Sequence, residues 1–233
     1  MKNLVIIPAR SGSKGIVGKN VKIIAGKPLI AWSIESALMA RNVDRVIVST
    51  DSHEIANIAK KFGAEAPFLR PKSLADDLAT TESAIIHTLS WLESNEGYVP
   101  DNVILLQATS PVRENDVIDK AIQRFISTKA DSLVSVCEFW HFLWEGRESV
   151  TALYDYQNRP RRQDILPGHI KLKENGSIYV TKTHLLQETK NRLCGSICTF
   201  IMQEEESFEI DNRLDWLLVE TILKHKHGIT GLC

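Results

Sequence analysis

Cysteine is scarce in this 233-residue chain. The four present, at 137, 194, 198 and 233, have neither the Cys nor the His partners that a zinc site requires. Cys194 and Cys198 lie four apart with nothing to complete a metal set. All four read as reduced thiols, an expectation that places the protein in the cytoplasm. No apolar run approaches the ~20 residues of a membrane-spanning helix. The amino terminus runs straight into a first apolar segment with no signal-peptide pattern ahead of it. Neither sign of charge is in excess: 28 Lys and Arg stand against 29 Asp and Glu, a net charge of −1. Wholesale binding to nucleic acid or to an anionic membrane is therefore not expected. Internal repeats and low-complexity segments are also missing. So are two familiar phosphate motifs. G-x-G-x-x-G does not occur. The Walker A pattern fails because five residues separate Gly12 from Gly18 and Lys19 precedes Asn20.

What is present is a different glycine- and lysine-rich loop. Leu4-Val-Ile-Ile7 reads as a buried strand, and residues 8–20 follow it with Arg10, Ser11, Gly12, Ser13, Lys14, Gly15, Gly18, Lys19 and Asn20. Glycines allow backbone amides to approach an anion closely, and cationic side chains can then hold phosphate oxygens. A turn with solvated lysines is the plainer alternative. Its position after the first strand, with an arginine at its start, favours phosphate.

The rest of the chain alternates strand and helix, which implies a layered α/β sheet. The spacing predicts a helix over 28–40, a strand over 45–49, a helix over 54–62 capped by Asp51 or Ser52, and a short third strand within 63–70. A helix over 82–92 and a strand over 102–106 follow. The strand is nearly all apolar and so reads as central. A helix over 116–125 and a strand over 132–136 come next. The alternation then breaks at an aromatic-rich stretch, 139–144, and a polar one, 154–163, with three arginines. This reads as an inserted arm, over about residues 139–172, that makes a subunit contact within a single domain of residues 1–233. Strands resume over 176–180 and 198–202. A closing helix from about Asn212 is expected to turn Leu214, Leu217, Leu218, Thr221 and Ile222 inward, with Asp211 as its cap. Ligands in open α/β sheets sit beyond the carboxyl ends of strands, so the loops after Ile7, Val48 and Leu106 form the candidate rim.

Several motifs taken together carry a resemblance. They are Ala9-Arg-Ser-Gly-Ser-Lys-Gly15, Lys19-Asn20, Gly26-Lys-Pro28, Val48-Ser-Thr-Asp51, Phe68-Leu-Arg70, Gln107-Ala-Thr-Ser-Pro111, Arg159-Pro-Arg-Arg-Gln-Asp164, Glu174-Asn-Gly-Ser-Ile-Tyr179 and Glu209-Ile-Asp211. In this order they resemble the CMP-sialate synthetases (N-acylneuraminate cytidylyltransferases) over nearly the whole length. The resemblance implies a nucleotide-diphospho-sugar transferase fold, with a mostly parallel Rossmann-like sheet flanked by helices. It also implies a homodimer or tetramer with a swapped dimerisation arm. The implied reaction transfers CMP from CTP to the anomeric hydroxyl of a sialic acid, with Mg²⁺ and release of pyrophosphate. The same reaction on legionaminate or pseudaminate is the alternative, as is an inactive CTP-binding regulatory protein. The first loop argues against enzymes of eight-carbon keto acids.

Phosphoryl transfer rests on positioning and charge neutralisation. The resemblance assigns Arg10, Gly12, Ser13, Lys14, Gly15 and Lys19 to the triphosphate, and Asn20, Arg70 and Thr81 to the nucleotide. Thr81 has a helix cap as its structural alternative. Gln107, Arg162 and Tyr179 are expected to meet the sugar acid, with core packing as the alternative for Tyr179. Arg10, Lys19, Arg161 and Arg162 are the expected catalytic groups. Asp211 and Glu209 are expected to bind Mg²⁺. Family members commonly carry Asp where this chain has Glu209.

Overall fold

The computed structural model describes residues 1–13 and 15–229. Lys14 and Cys233, singled out above, lie outside the described residues. Strand β1 (Asn3–Pro8) is buried on both faces. Alternation sends Val5 and Ile7 into one core and Leu4 and Ile6 into another. After it come a small hairpin, β2 (Ile23–Ile24) with β3 (Lys27–Pro28), and helix α1 (Leu29–Met39). Then follow β4 (Arg45–Ser49), α2 (His53–Lys61), α3 (Thr81–Glu96), β5 (Asn102–Leu106) and α4 (Val117–Thr128). The second half holds β6 (Ser132–Phe139), β7 (Trp144–Gly146), β8 (Val150–Ala152), β9 (Lys171–Lys182), α5 (Thr183–Thr189), β10 (Ile197–Ile201) and α6 (Arg213–Lys226).

The main sheet has six strands in the order β10-β6-β9-β5-β1-β4. β1 pairs in parallel with β4 and β5, and β6 with β10. β9 alone is reversed, antiparallel to β5 and to β6. The sheet is thus mostly parallel with helices on both faces, as expected, and β5 is central. The carboxyl ends of β1, β4 and β5 share one edge with the amino-terminal end of β9. The arm leaves at Phe139 and returns at Lys171, which are paired neighbours at the ends of β6 and β9. Its hairpin, β7 with β8, is a separate two-stranded sheet.

Four local expectations are corrected, and one pair of alternatives is decided. The segment 63–70 forms no strand, only a single parallel bridge from Ile47 to Glu65. Of the two candidates for the α2 cap, Ser52 is the one that fills it, accepting from the Ile55 amide. Thr80, not Thr81, caps α3, accepting from the Ser83 amide. Asn212, not Asp211, caps α6, in a reciprocal box with Asp215. On α6 the buried side chains are Trp216, Val219 and Leu223, whereas Leu214 and Leu217 are 74% and 56% exposed. Two apolar stripes compete on this helix. The one carrying Trp216 wins because it packs with Ile24, Leu29, Trp32, Val112 and Ile210 into a third core.

Candidate active site

β1 ends at Pro8 on the carboxyl edge of the sheet, and the loop rises from there. Its start is tied to β4 by the Ala9 amide donating to the Ser49 carbonyl. Ser11 donates to Asp51 twice, from its amide at 2.8 Å and from its hydroxyl at 2.6 Å. Burial by itself would raise the Asp51 carboxyl, but these two bonds and the Arg70 charge outweigh it and hold its pKa below the usual value. Arg10 reaches across to the 72–80 loop, donating to the Asp76 carbonyl at 2.6 Å and pairing with Asp77 at 3.0 Å. Asn20 is buried and donates to the Arg10 carbonyl at 3.1 Å. Lys19 donates to the Ile210 carbonyl and lies 3.6 Å from the Asp211 carboxylate. Gly15 passes so close to the Asp211 carbonyl that a Cβ there would collide with it.

The facing wall comes from the end of β5 and from β9. Gln107 and Thr109 both approach Glu209. The Thr109 hydroxyl donates to Glu209 Oε1 at 3.2 Å. The Gln107 amide is oriented with its nitrogen 2.9 Å from Glu209 Oε1 and 2.9 Å from the Gly176 carbonyl. Glu209 is half-buried. Burial and the neighbouring Asp211 charge raise its pKa, opposed by the Thr109 bond and the Lys19 charge. Beneath this wall lies Arg113, fully enclosed. It donates to the Ser33 hydroxyl at 2.9 Å, to the Gln107 carbonyl at 3.1 Å and to the Ser177 carbonyl at 2.8 Å. Burial pushes its pKa down, against the opposing charge of buried Glu206.

The result is a cleft of about 300 Å³ between Arg10, Ser13, Gly15, Lys19 and Asn20 on one side and Gln107, Thr109 and Asp211 on the other. A second hollow of about 290 Å³, lined by Arg70 and the 74–80 loop, adjoins it and shares Pro8, Arg10 and Thr81. Eight of the expected residues line the first cleft and Arg70 the second. Three expected residues lie elsewhere. Tyr179 is buried in the core among Leu4, Ile6 and Val134, with its hydroxyl bonded to Glu174. Arg161 makes a two-point pair with Asp164 on the arm, and Arg162 stacks over the Trp140 ring at 4.8 Å. Lys22, just past the loop, sits 5.3 Å over the Trp216 ring.

A family model described as "Cytidylyltransferase" matches residues 4–211. The chain is 42% identical to the pseudaminic acid cytidylyltransferase of Campylobacter jejuni subsp. jejuni serotype O:23/36, over 97% of this chain and 98% of that one. It is 34% identical to the N-acylneuraminate cytidylyltransferase of Escherichia coli O18:K1:H7, over 97% of this chain and 53% of that one. The chain belongs to the cytidylyltransferases, in the CMP-sialate synthetase family. Its fold matches a solved CMP:2-keto-3-deoxy-manno-octonic acid synthetase complexed with CTP, with a TM-score of 0.71, covering 97% of this chain and 100% of that one at 20% identity.

Three groups of this cytidylyltransferase's site escaped the sequence reading. Arg113 stands two residues beyond Gln107-Ala-Thr-Ser-Pro111, and nothing in its neighbours announces a buried guanidinium. Thr109 lies inside that motif, where its sequence neighbours do not reveal its bond to Glu209. Asp51 read only as a cap, although its place at the end of β4 on the rim was a usable signal. Its role here is to anchor the loop. A carboxyl with a lowered folded pKa contributes stability above its unfolded value, and loses it as pH falls through the folded one. Asp51→Asn should therefore cost about 1 kcal/mol at neutral pH, a value reduced by solvent screening. Urea unfolding from pH 7 downward should show that difference shrinking once the pH drops below about 4. A difference that stays constant with pH would show that the charge of Asp51 plays no part.

Proposed function

We propose that this cytidylyltransferase couples CTP to a nonulosonate, forming a CMP-sugar and pyrophosphate, and that pseudaminate is its sugar acid. The observation that carries the reaction is the cleft itself. Cationic Arg10 and Lys19 and the Gly15 backbone line one cleft together with Gln107, Thr109 and the Asp211 carboxylate, just beyond the ends of β1 and β5. The greater likeness to a pseudaminic acid enzyme, over nearly the full length of both chains, supports that sugar over N-acylneuraminate.

In this reading the triphosphate lies along the 10–19 loop. Arg10 offers a planar fork of donors, Lys19 a point charge, and Ser13 a hydroxyl. Both cations are already held by carboxylates or carbonyls, so they are aimed before substrate arrives. The base occupies the adjoining hollow beside Arg70 and Thr81, and Asn20 steadies the loop between the two. Gln107 meets the sugar acid, whose anomeric hydroxyl attacks the α-phosphorus in line with departing pyrophosphate.

Asp211 and Glu209 fit a hard divalent cation such as Mg²⁺. Their mutual repulsion and the partial burial of Glu209 leave carboxylate charge for which Lys19 is the nearby cation. Among the described residues no cluster of three or more His, Cys, Asp or Glu could hold a metal alone. A pair of carboxylates suits an ion whose remaining ligands are phosphate oxygens and water. When bound, the ion would neutralise charge developing on the phosphates.

Two measurements test this reading. Pyrophosphate release should be followed with CTP, Mg²⁺ and, in turn, pseudaminate, legionaminate and N-acylneuraminate. The expected order puts pseudaminate first in kcat/KM by about tenfold or more. A higher value on either other acid overturns the choice of sugar, and no release with any overturns the reaction. Separately, Asp211→Asn should lower kcat about a thousandfold. It should shift stability by less than about 0.5 kcal/mol, because Asn212 and Asp215 make the helix cap without it. Normal turnover by Asp211→Asn would remove Asp211 from the metal site.

The arm completes the proposal. Arg161 and Arg162 lie off the cleft of their own chain, amid aromatic side chains on a hairpin outside the main sheet. We infer that the protein is a homodimer in which the arm carries Arg162 to the partner's cleft. Arg162→Ala and Asp211→Asn should each be inactive alone. Mixed in equal amounts and allowed to exchange subunits, they should recover about a quarter of wild-type activity, since mixed dimers hold one intact site. No recovery would show that each site is built from one chain.

A further inference from the structure

The Gln107 side chain is held from three directions. Its main-chain carbonyl accepts from Arg113 at 3.1 Å and from the Ser33 hydroxyl at 3.3 Å, which fixes the Cα at the end of β5. Its side-chain amide meets two oxygens, Glu209 Oε1 and the Gly176 carbonyl, each at 2.9 Å. A backbone carbonyl cannot donate, and an ionised carboxylate cannot donate. The amide nitrogen must therefore face both of them, because the reverse orientation would set three acceptors against one another. Gly176 has a positive φ of 64°, and a Cβ there would collide with the Gln107 amide and the Glu209 carboxylate. The contact thus depends on glycine at 176.

Glu209 does this work at the position where an aspartate is common in the family. A glutamate reaches about 1.5 Å further from the main chain, the length of one more carbon–carbon bond. Here that reach brings Oε1 to both Thr109 and Gln107. Only Oε2 is left free of these two donors for a shared cation. Gln107 lines the cleft, and with its nitrogen engaged by Glu209 and Gly176 its carbonyl oxygen is the group left to meet a ligand there.

We propose that Glu209 is a positioning residue which, with the Gly176 carbonyl, locks the Gln107 amide so that its carbonyl oxygen reads a hydrogen-bond donor on the sugar acid. The site then selects a nonulosonate carrying a hydroxyl or an acylamido N–H at the place facing Gln107, and rejects one with an ether, ester or fluorine there. An amide free to rotate would accept either kind of group. A locked one discriminates, because the wrong group leaves a desolvated carbonyl unpaired. The inference rests on the nonulosonate reading given above.

The test uses the full-length enzyme saturated with CDP, so that sugar-acid binding is measured by calorimetry without turnover. The probes are the sugar acid that the activity panel accepts and analogues of it lacking one donor at a time. In these a hydroxyl is replaced by fluorine, or an acylamido N–H by an ester oxygen. The wild-type enzyme should bind one analogue at least about tenfold more weakly than the parent. In Gln107→Leu that penalty should vanish, which identifies Gln107 as its reader. In Glu209→Gln the penalty for the same analogue should fall below about threefold, because residue 209 can then donate to a turned Gln107 amide and only the Gly176 carbonyl still opposes the turn. Penalties for the other analogues should not change, whereas a merely structural role for Glu209 would weaken all ligands alike. If Glu209→Gln does not fold, Glu209→Asp replaces it, since its carboxylate falls short of Gln107. Discrimination equal to wild type in the residue-209 variant overturns the proposal, as does a wild type that ignores every donor removed. Failure of the nonulosonate reading is a separate result: no pyrophosphate release with any sugar acid.

Discussion

The contact between Lys19 and the Ile210–Asp211 backbone and carboxylate makes one site out of two distant parts of the chain. The loop after β1 carries the cations, and the segment before α6 carries the carboxylate. Neither is held in place by its own neighbours alone. Lys19 satisfies the Ile210 carbonyl, and Gly15 allows the two backbones to touch. Behind them the third core, with Trp32, Ile210, Trp216 and Val219, fastens α6 to α1 and so keeps the carboxylate segment against the loop. Charge placement in the cleft is thus a product of apolar burial several residues away.

A buried polar layer supports the opposite wall. Asn175 accepts from the Ser135 hydroxyl at 2.6 Å and donates to the Ser207 hydroxyl at 3.0 Å. The Ser135 hydroxyl in turn accepts from the Ile178 amide at 2.8 Å. These bonds sit where the pairing of β6 with β9 shifts register between Val134 and Val136. The irregularity frees backbone groups that would otherwise pair across the ladder, and the side chains satisfy them. Arg113 extends the layer to α1 and to the Gln107 carbonyl. Removing one member of such a network leaves the others buried and unpaired, so the layer specifies the position of Gln107 more strictly than apolar packing could.

The arm obeys a different constraint. Phe142 and Trp144 pack against Tyr154, and Arg159 lies 4.3 Å over the Phe142 ring. Phe142 and Tyr154, with Phe139 and Trp140, line a cavity of about 420 Å³ rather than a closed core. Trp144, Tyr156 and Leu166 remain largely exposed. Apolar surface of this kind is what a subunit interface uses. The covalent path of the arm begins at Phe139 and ends at Lys171, which are paired across β6 and β9.

By itself the sequence determined the loop and most strands of the sheet, but not the reversal of β9. Strands of β-branched and aliphatic residues, helices with period 3.6 and a glycine-rich turn after β1 are local patterns. β4 and β5 begin and end at the residues that the pattern names. The cationic loop and Gln107 stand directly after β1 and β5, and Glu209 and Asp211 form a short acidic motif just before α6, so local sequence singles each of them out. Tertiary structure alone decided the rest. It chose the Trp216 stripe of α6 over the Leu214 and Leu217 stripe, which period alone cannot rank. It set Tyr179 in the core, since its strand buries both faces and its hydroxyl finds Glu174. It also placed Arg113 beneath the cleft and turned Glu209 toward Gln107. Those contacts join residues 33, 107, 113, 177 and 209, and partners that far apart in the chain meet only once the sheet has formed.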